Sequence, residues 1–281
     1  MPSILPGLWI VATPLGNLED FSPFARKCLL QADLVLAEDT RRASWLLRNL
    51  DLKVNALESL HEHNESSRLS GILAKLQEGK KIALISDAGT PLLSDPGYRL
   101  VRACRMHSIP VHPVPGPSAP VAALSAAGLP PIPYSFLGFL PRDAAGIEKI
   151  FRSFQRTPGS LVFFERKDRL QKSLKLALDI LGNREIAICR EMTKTHEEFI
   201  LGNLFGLISN MPELLGEITV ILGPADKNEK IPRVEVEKLL ESRLEAGVKL
   251  REAVNSVIDS CPGWSGSELY KLARDLRKSN D

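Results

Sequence analysis

Two apolar strand-like runs, Lys81–Ile85 and Ile109–Val114, each empty into a loop of small and polar residues before a helical pattern begins. The first loop reads Ser86-Asp87-Ala88-Gly89-Thr90-Pro91 and continues through Ser94-Asp95-Pro96-Gly97. The second reads Pro115-Gly116-Pro117-Ser118-Ala119. A strand that ends in a loop and restarts as a helix is a βα unit, and successive units of this kind demand a parallel sheet with helices packed on it. Open sheets so built hold their ligands outside the carboxyl ends of the strands. Connections there usually run about 2–6 residues, so loops this long and this rich in Gly, Pro, Ser and Asp exceed what a structural turn requires. Small residues let a ligand approach the backbone, while Asp87 and the hydroxyls supply a few oriented polar contacts.

The same alternation runs through the first half of the chain. Strands are expected at Leu8–Ala12, Leu34–Ala37, Val54–Leu57, Lys81–Ile85 and Ile109–Val114, with helices at about Pro23–Gln31, Thr40–Asn49, Asn64–Gly79, Gly97–His107 and from Ser118. A second group of strands follows at Tyr134–Phe139, Ser160–Glu165, Glu185–Glu191, Glu198–Leu201 and Glu217–Leu222. Helices are scarcer there and strands follow one another directly, which predicts an antiparallel or mixed sheet. The run Leu129-Pro130-Pro131-Ile132-Pro133 breaks regular structure and sets the first boundary. After Gly223-Pro224 and the polar stretch Ala225–Lys230, Leu250, Val254, Val257, Ile258 and Cys261 share one helical face. Ser265-Gly266-Ser267-Glu268 has the form of a capping box, and Lys271, Arg274 and Lys278 lie on one side of the helix it opens. The expected division is therefore an α/β unit over 1–128, a second α/β unit with a mixed sheet over 129–224, and a small helical C-terminal extension over 225–281.

Composition excludes more than it selects. The 281 residues suffice for one large or two medium domains, and 44% hydrophobic with 25% charged residues is ordinary for a globular chain. A formal charge of +2 permits an RNA or phosphate partner without requiring one. Cys28, Cys104, Cys189 and Cys261 are scattered, with no CxxC, and read as reduced buried thiols of a cytoplasmic protein. No secretory signal and no membrane-spanning run is expected. The absence of GxGxxG after the first strand and of GxxxxGK[ST] argues against dinucleotide and P-loop nucleotide binding.

Several strand ends carry candidate chemistry. Ala12-Thr13-Pro14-Leu15-Gly16 is a turn able to line a cleft. Glu38-Asp39-Thr40-Arg41-Arg42 offers two acids beside two cations, able to orient a hydroxyl and bind phosphate. The alternative is a helix cap at Asp39 with the acids favoured by the helix dipole. His61-Glu62-His63 could supply a general base or a substrate contact, or simply two loop histidines; nothing nearby completes a tetrahedral metal site. Phe164-Glu165-Arg166, Glu191 and Gly216-Glu217 mark further strand ends.

Taken together, these segments resemble one family. Leu8–Leu18, Ala37–Arg41, Leu60–Glu65, Ser86–Gly97, Pro115–Ser118, Ser125–Pro130, Gly138–Pro141, Phe164-Glu165, Arg190–Lys194 and Gly216-Glu217 match in order the ribosomal RNA small subunit methyltransferase I family of the tetrapyrrole methylase superfamily. The resemblance implies an α/β fold of two α/β domains with a cofactor cleft between them, as in class III methyltransferases. It implies S-adenosylmethionine (S-adenosyl-L-methionine) as cofactor, methyl transfer to a cytidine ribose 2′-hydroxyl of 16S rRNA within the small ribosomal subunit, and a homodimer. It carries cofactor contacts onto Thr13, Pro14, Asp87, Ala88, Gly89, Thr90, Ser118, Ala119, Phe164, Glu191 and Gly216. A ribose hydroxyl needs a proton acceptor, for which Glu38, Asp39 and His61 are the candidates, with Arg41 and His63 at the substrate. Two departures stand out. The loop Arg142–Glu148 is nearly neutral where the family is basic, and Arg166-Lys167-Asp168-Arg169 replaces a Ser-Pro-His-Arg segment. Arg166 and Arg169 are thereby offered as phosphate contacts. The rival readings are a tetrapyrrole-precursor methylase, a metal-dependent phosphohydrolase built on Glu38, Asp39, His61, His63 and Asp87, and a non-catalytic RNA-binding protein.

Overall fold

The computed structural model describes residues 3–212, 214–225, 233–258, 261 and 263–280. Its first half is a five-stranded, wholly parallel sheet in the order β3-β2-β4-β1-β5. The strands are β1 (Gly7–Val11), β2 (Leu34–Ala37), β3 (Leu57–Ser59), β4 (Lys81–Ile85) and β5 (Val111–Val114). Between them run α1 (Pro23–Gln31), α2 (Thr40–Asn49), α3 (Glu65–Gln77) and α4 (Tyr98–Met106). Every residue of β2 is buried, as expected of a strand covered on both faces by crossover helices. Trp9, Val11, Val35, Ala83 and Ile85 face one apolar cluster; Leu8, Leu34, Leu36, Ile82 and Leu84 face the other. Each Leu, Ile and Val among them contributes about 1.5–3 kcal/mol on burial.

Register sets the site. Val11 and Ala37 are both paired with Ile85, Ser59 with Ala37, and Val114 with Val11, so five strands end in one row. Whatever follows that row emerges at one rim: Thr13, Glu38, His61, Asp87 and Ser118. The third strand differs from its expected position, since pairing occupies Leu57–Ser59 rather than Val54–Leu57. Val54 does pack on the core, but an edge strand is bounded by its ladder with β2, not by where its apolar residues begin.

The second sheet is mixed, in the order β6-β7-β10-β8-β9. Its strands are β6 (Tyr134–Phe139), β7 (Ser160–Arg166), β8 (Glu185–Arg190), β9 (Glu198–Asn203) and β10 (Glu217–Leu222), and only β6 and β7 run parallel. Alternation assigns Leu161 and Phe163 to the face covered by α6 (Ala144–Phe154) and α7 (Lys167–Leu181). Val162 and Ile221 point to the other face, where they meet Ala123 and Leu124 of α5 (Ala119–Ala126) and Ala127 just after it. Thus α5 follows the first sheet in sequence but covers the second. The short α8 (Leu204–Ser209) follows β9.

The two halves also meet at their loops: Asn17 N–H donates to Thr193 Oγ1 at 3.2 Å. A side chain on Gly16 would strike Lys194.

The last unit packs α9 (Arg233–Glu245), α10 (Leu250–Val257) and α11 (Gly266–Asn280) around Val236, Leu240, Val254, Val257, Leu269 and Leu272. The capping box forms as expected: Glu268 N–H donates to Ser265 Oγ, and the Glu268 carboxylate accepts from Ser265 N–H at 2.8 Å. Positions 226–232, including most of the expected linker, and the Lys278 side chain lie outside the described residues. The four cysteines are buried, and burial pushes the Cys28 and Cys104 thiols up to about 11 and that of Cys189 to about 12. Among the described residues no helix is long and apolar enough to cross a membrane.

Candidate active site

A cavity of about 620 Å³ opens between the rim of the first sheet and the α5-side face of the second. Ligand sites of small molecules commonly span about 300–1,000 Å³. Of the residues singled out in the sequence, Glu38, Asp87, Ala88, Gly89, Thr90, Ser118, Ala119, Phe164, Arg166 and Gly216 line it.

The first half supplies backbone loops and carboxylates. Thr13 and Gly89 exchange backbone hydrogen bonds at 2.8 and 3.1 Å, and the fully buried Thr13 hydroxyl donates to Ser86 O at 3.2 Å. Thr13 therefore shapes the loop instead of facing the cavity. Gly89 holds φ +78°, and a Cβ there would meet Leu15 at 3.1 Å. Leu92 and Ser94 also sit at φ 74° and 76°, a conformation costing non-glycine residues about 1–3 kcal/mol each. Strain of that kind persists where the surrounding structure imposes it, and it brings Leu93, Ser94 and Asp95 to the cavity wall. The Ser118 Oγ is buried without a hydrogen-bond partner.

Three carboxylates converge here. Burial pushes Glu38 up, with Asp87 adding to the effect and Arg42 opposing it. Burial also raises Asp87, against the pull of Arg42, whose Nη1 lies 3.1 Å from Asp87 Oδ2. Asp95 is pushed up to about 7 by burial first and then by the charges of Glu38 and Asp87. A carboxyl that titrates near neutrality in a cleft is suited to proton transfer.

Other candidates are committed elsewhere. Asp39 caps α2, accepting from Arg41 N–H at 2.8 Å. Its second oxygen meets Arg41 Nη2 at 2.7 Å, and these Arg41 hydrogen bonds hold the carboxyl well below the usual range. The helix-cap alternative is what forms, and it occupies Arg41 as well. His61 lies off the cavity wall but within electrostatic reach of Glu38, with its Nδ1 buried and unpartnered. His63 is exposed and meets the His61 ring edge-on at 6.0 Å. The rest of that motif is architectural. Asn64 Oδ1 accepts from His61 N–H at 2.8 Å, and buried Glu65 accepts from Leu100 N–H, capping α4, which begins at Gly97 without a side-chain cap. Pro14 lines a smaller adjoining hollow.

The second half supplies an apolar wall and locked acids. Phe164, Met192 and Ile218 line the cavity, and the Phe139 and Phe164 rings lie 5.2 Å apart. Glu191 accepts from Glu217 N–H at 2.9 Å and Lys194 Nζ at 3.1 Å, and the Glu217 backbone bond chiefly holds its carboxyl low. A Cβ on Gly216, at φ +91°, would fall 2.1 Å from Glu191 Oε1, so glycine is required where the wall passes over that carboxylate. Arg169 donates to Leu140 O at 3.0 Å, to Pro141 O, and to the buried Glu165 at 3.3 Å. It fastens a turn instead of facing the cavity.

Among the charged cavity residues, Asp95 has no role assigned from the sequence, and Arg42 appears there only as one of two adjacent cations. Arg42 sits next to Arg41 in sequence, and only the capture of Arg41 by the Asp39 cap distinguishes them. Asp95 stands in a loop recognised for its glycines, and its burial is a tertiary effect.

The sequence pattern of the Tetrapyrrole (Corrin/Porphyrin) Methylases matches residues 7–208. A protein named ribosomal RNA small subunit methyltransferase I from Thermotoga maritima is 46% identical over 217 residues, covering 76% of this chain and 97% of that protein. The protein of the same name from Escherichia coli O157:H7 is 39% identical over 272 residues, covering 95% and 94%. The chain belongs to the ribosomal RNA small subunit methyltransferase I family, a branch of the tetrapyrrole methylases. Solved structures agree on the methylase fold. The methyltransferase CobJ aligns with TM-score 0.60 at 18% identity, covering 78% of this chain and 94% of its own. Uroporphyrin-III C-methyltransferase from Thermus thermophilus, complexed with S-adenosylhomocysteine, aligns with TM-score 0.55 at 19% identity, covering 77% and 97%. This methylase carries, beyond the matched region, the three-helix unit and β10.

Proposed function

We propose that the protein transfers the methyl group of S-adenosylmethionine to a cytidine ribose 2′-hydroxyl of 16S rRNA in the small ribosomal subunit. Family membership over nearly the whole chain, joined to a cavity of the right kind at the strand ends, carries this reading. The cavity suits the cofactor on its own chemistry. The partnerless buried Ser118 hydroxyl, the open backbone at Gly89 and Gly216, the Phe164 wall and the nearby carboxylates are what an adenosine-bearing cation needs. Asp87, Ala88, Gly89, Thr90, Ser118, Ala119, Phe164 and Gly216 would hold it, with Thr13 and Glu191 keeping the two walls in shape. When bound, S-adenosylmethionine supplies an electrophilic methyl on a positively charged sulfur.

The protein's own part is then orientation and proton management. Fixing a hydroxyl in line with its target is worth about 7–11 kcal/mol in favourable cases. Glu38 and Asp95, the latter raised in part by the charge of Glu38, are the proposed proton acceptors: a carboxylate oxygen of either would take the hydroxyl proton as the ribose oxygen takes the methyl group and the methyl–sulfur bond gives way. His61, within electrostatic reach of Glu38, is proposed to favour the charged form of that carboxylate. Arg166, 70% exposed on its side chain, is the proposed phosphate contact from the second half. The reading includes a homodimer acting in the cytoplasm, where ribosomal subunits are assembled; sedimentation of the full chain tests the dimer.

Labelled S-adenosylmethionine offered with 30S subunits, or with uroporphyrinogen, tests the substrate. Label in 16S rRNA at a ribose supports the proposal. Label in the macrocycle alone replaces it with a tetrapyrrole-precursor methylase, and RNA affinity without transfer leaves a binding protein. Among the described residues no three His, Cys, Asp or Glu side chains are disposed to hold a metal ion, so the arrangement required by the phosphohydrolase reading is not assembled.

A further inference from the structure

Helix α2 presents an exposed tryptophan that the fold does not use. Ala43, Leu46 and Leu47 form its buried face, whereas Trp45 is 56% exposed. Tryptophan is highly buried on average, and this half-exposed ring borders a hollow next to the cleft. Trp45 forms one side of a hollow of about 210 Å³ walled otherwise by Pro14, Leu15, Gly16, Leu18 and Leu46, with the Arg42–Asp87 pair at its edge. Leu15, Arg42 and Asp87 line both this hollow and the main cavity, so the two lie side by side.

The charge around the ring narrows the occupant. The segment Thr40–Asn49 holds Arg41, Arg42 and Arg48 and no acidic residue. Helical spacing places Arg41, Trp45 and Arg48 along one exposed strip and Arg42 one turn before the ring. An aromatic face among guanidinium groups is the arrangement on which single-stranded nucleic acids stack a base while their phosphates are neutralised.

We propose that Trp45 is the stacking platform for an unpaired base of the RNA substrate flanking the nucleotide in the main cavity, with Arg42 and Arg48 contacting its phosphates. This rests on the rRNA reading above. It adds a second subsite and a reason for the substrate to be splayed single strand: a base in a helix cannot lie on Trp45 while its neighbour's ribose reaches Glu38.

The full chain tests it with two probes. A short single-stranded oligoribonucleotide should quench tryptophan fluorescence in the wild type, and W45F should lose most of that quenching. With 30S subunits at saturating S-adenosylmethionine, W45A should raise the half-saturating subunit concentration about tenfold, the scale of one lost stacking contact. W45F should keep most of that affinity, and S-adenosylmethionine affinity by calorimetry should be unchanged in both. Unaltered half-saturation in W45A, or quenching that survives in W45F, overturns the platform. So does W45A dissociating a dimer while RNA affinity stays intact, which assigns the face to a second copy of the chain. A wild type that is quenched by the oligoribonucleotide but methylates no subunit overturns the rRNA reading and leaves the platform standing. A wild type that is not quenched overturns the platform alone.

Discussion

Glu38, Asp87 and Asp95 on one side of the cavity, and Glu165 and Glu191 on the other, are all acids at or near strand ends, but the two halves treat them differently. In the first half, burial first and neighbouring carboxylates second raise all three, and Arg42 is the cation facing Asp87. In the second half, the acids are saturated with donors. Glu165 is 2% exposed and accepts from Arg166 N–H, Arg169 and Ser173, while Glu191 is held low by the Glu217 backbone and Lys194. Hydrogen bonds to a charged carboxylate favour the charge, and burial without them disfavours it. The parallel half therefore holds acids able to exchange protons, and the mixed half uses its acids as brackets for a binding wall.

The largest test of that contrast is removal of the proposed acceptors. E38Q and D95N should each slow single-turnover methylation by about 10²–10⁴-fold, the range of general base catalysis, with donor affinity nearly kept. Asp95 also predicts a pH signature. Its carboxyl is protonated more readily in the folded chain than in the unfolded one. Its contribution to stability is therefore complete below the ordinary carboxylate range and is lost as pH rises through about 7. D95N should flatten that part of the melting-temperature profile, while the wild-type rate should climb as pH passes about 7. A profile identical in D95N would remove Asp95 from the pair.

On the bracket side, G216A should destabilise by about 1–3 kcal/mol and weaken S-adenosylmethionine, since a methyl at φ +91° meets the Glu191 carboxylate. Thermal melts and calorimetry read both effects. R169A should cost about 1–3 kcal/mol of stability by freeing Leu140 O and stranding part of Glu165, with little change in cofactor affinity. Loss of RNA affinity alone would restore Arg169 to the substrate. The smallest effect is expected of S118A. Deleting a partnerless buried hydroxyl should leave the free protein as stable or slightly more so, and should weaken the cofactor by about 0.5–1.5 kcal/mol if that hydroxyl bonds it.

Much of this is legible in the sequence. Apolar runs such as Leu34–Ala37 and Lys81–Ile85 match their strands residue for residue, because fully buried parallel strands leave an uninterrupted signal. The capping box at Ser265–Glu268 is equally local. Where tertiary pairing decides, sequence reading falls short. The edge strand at Leu57–Ser59 is placed by β2, and the choice between Arg41 and Arg42 turns on a cap and a helix phase. The elevation of Asp95 depends on Glu38, which is far away in the chain.

The position of α5 has a consequence for how the chain is made. Ala123, Leu124 and Ala127 leave the ribosome with the first sheet, yet the residues that cover them, Val162 and Ile221, are synthesised later. The nascent protein must carry that greasy helix uncovered until β10 emerges. The wall of Phe164, Met192, Gly216 and Ile218 is complete only then, so a functional pocket cannot exist on a half-finished chain.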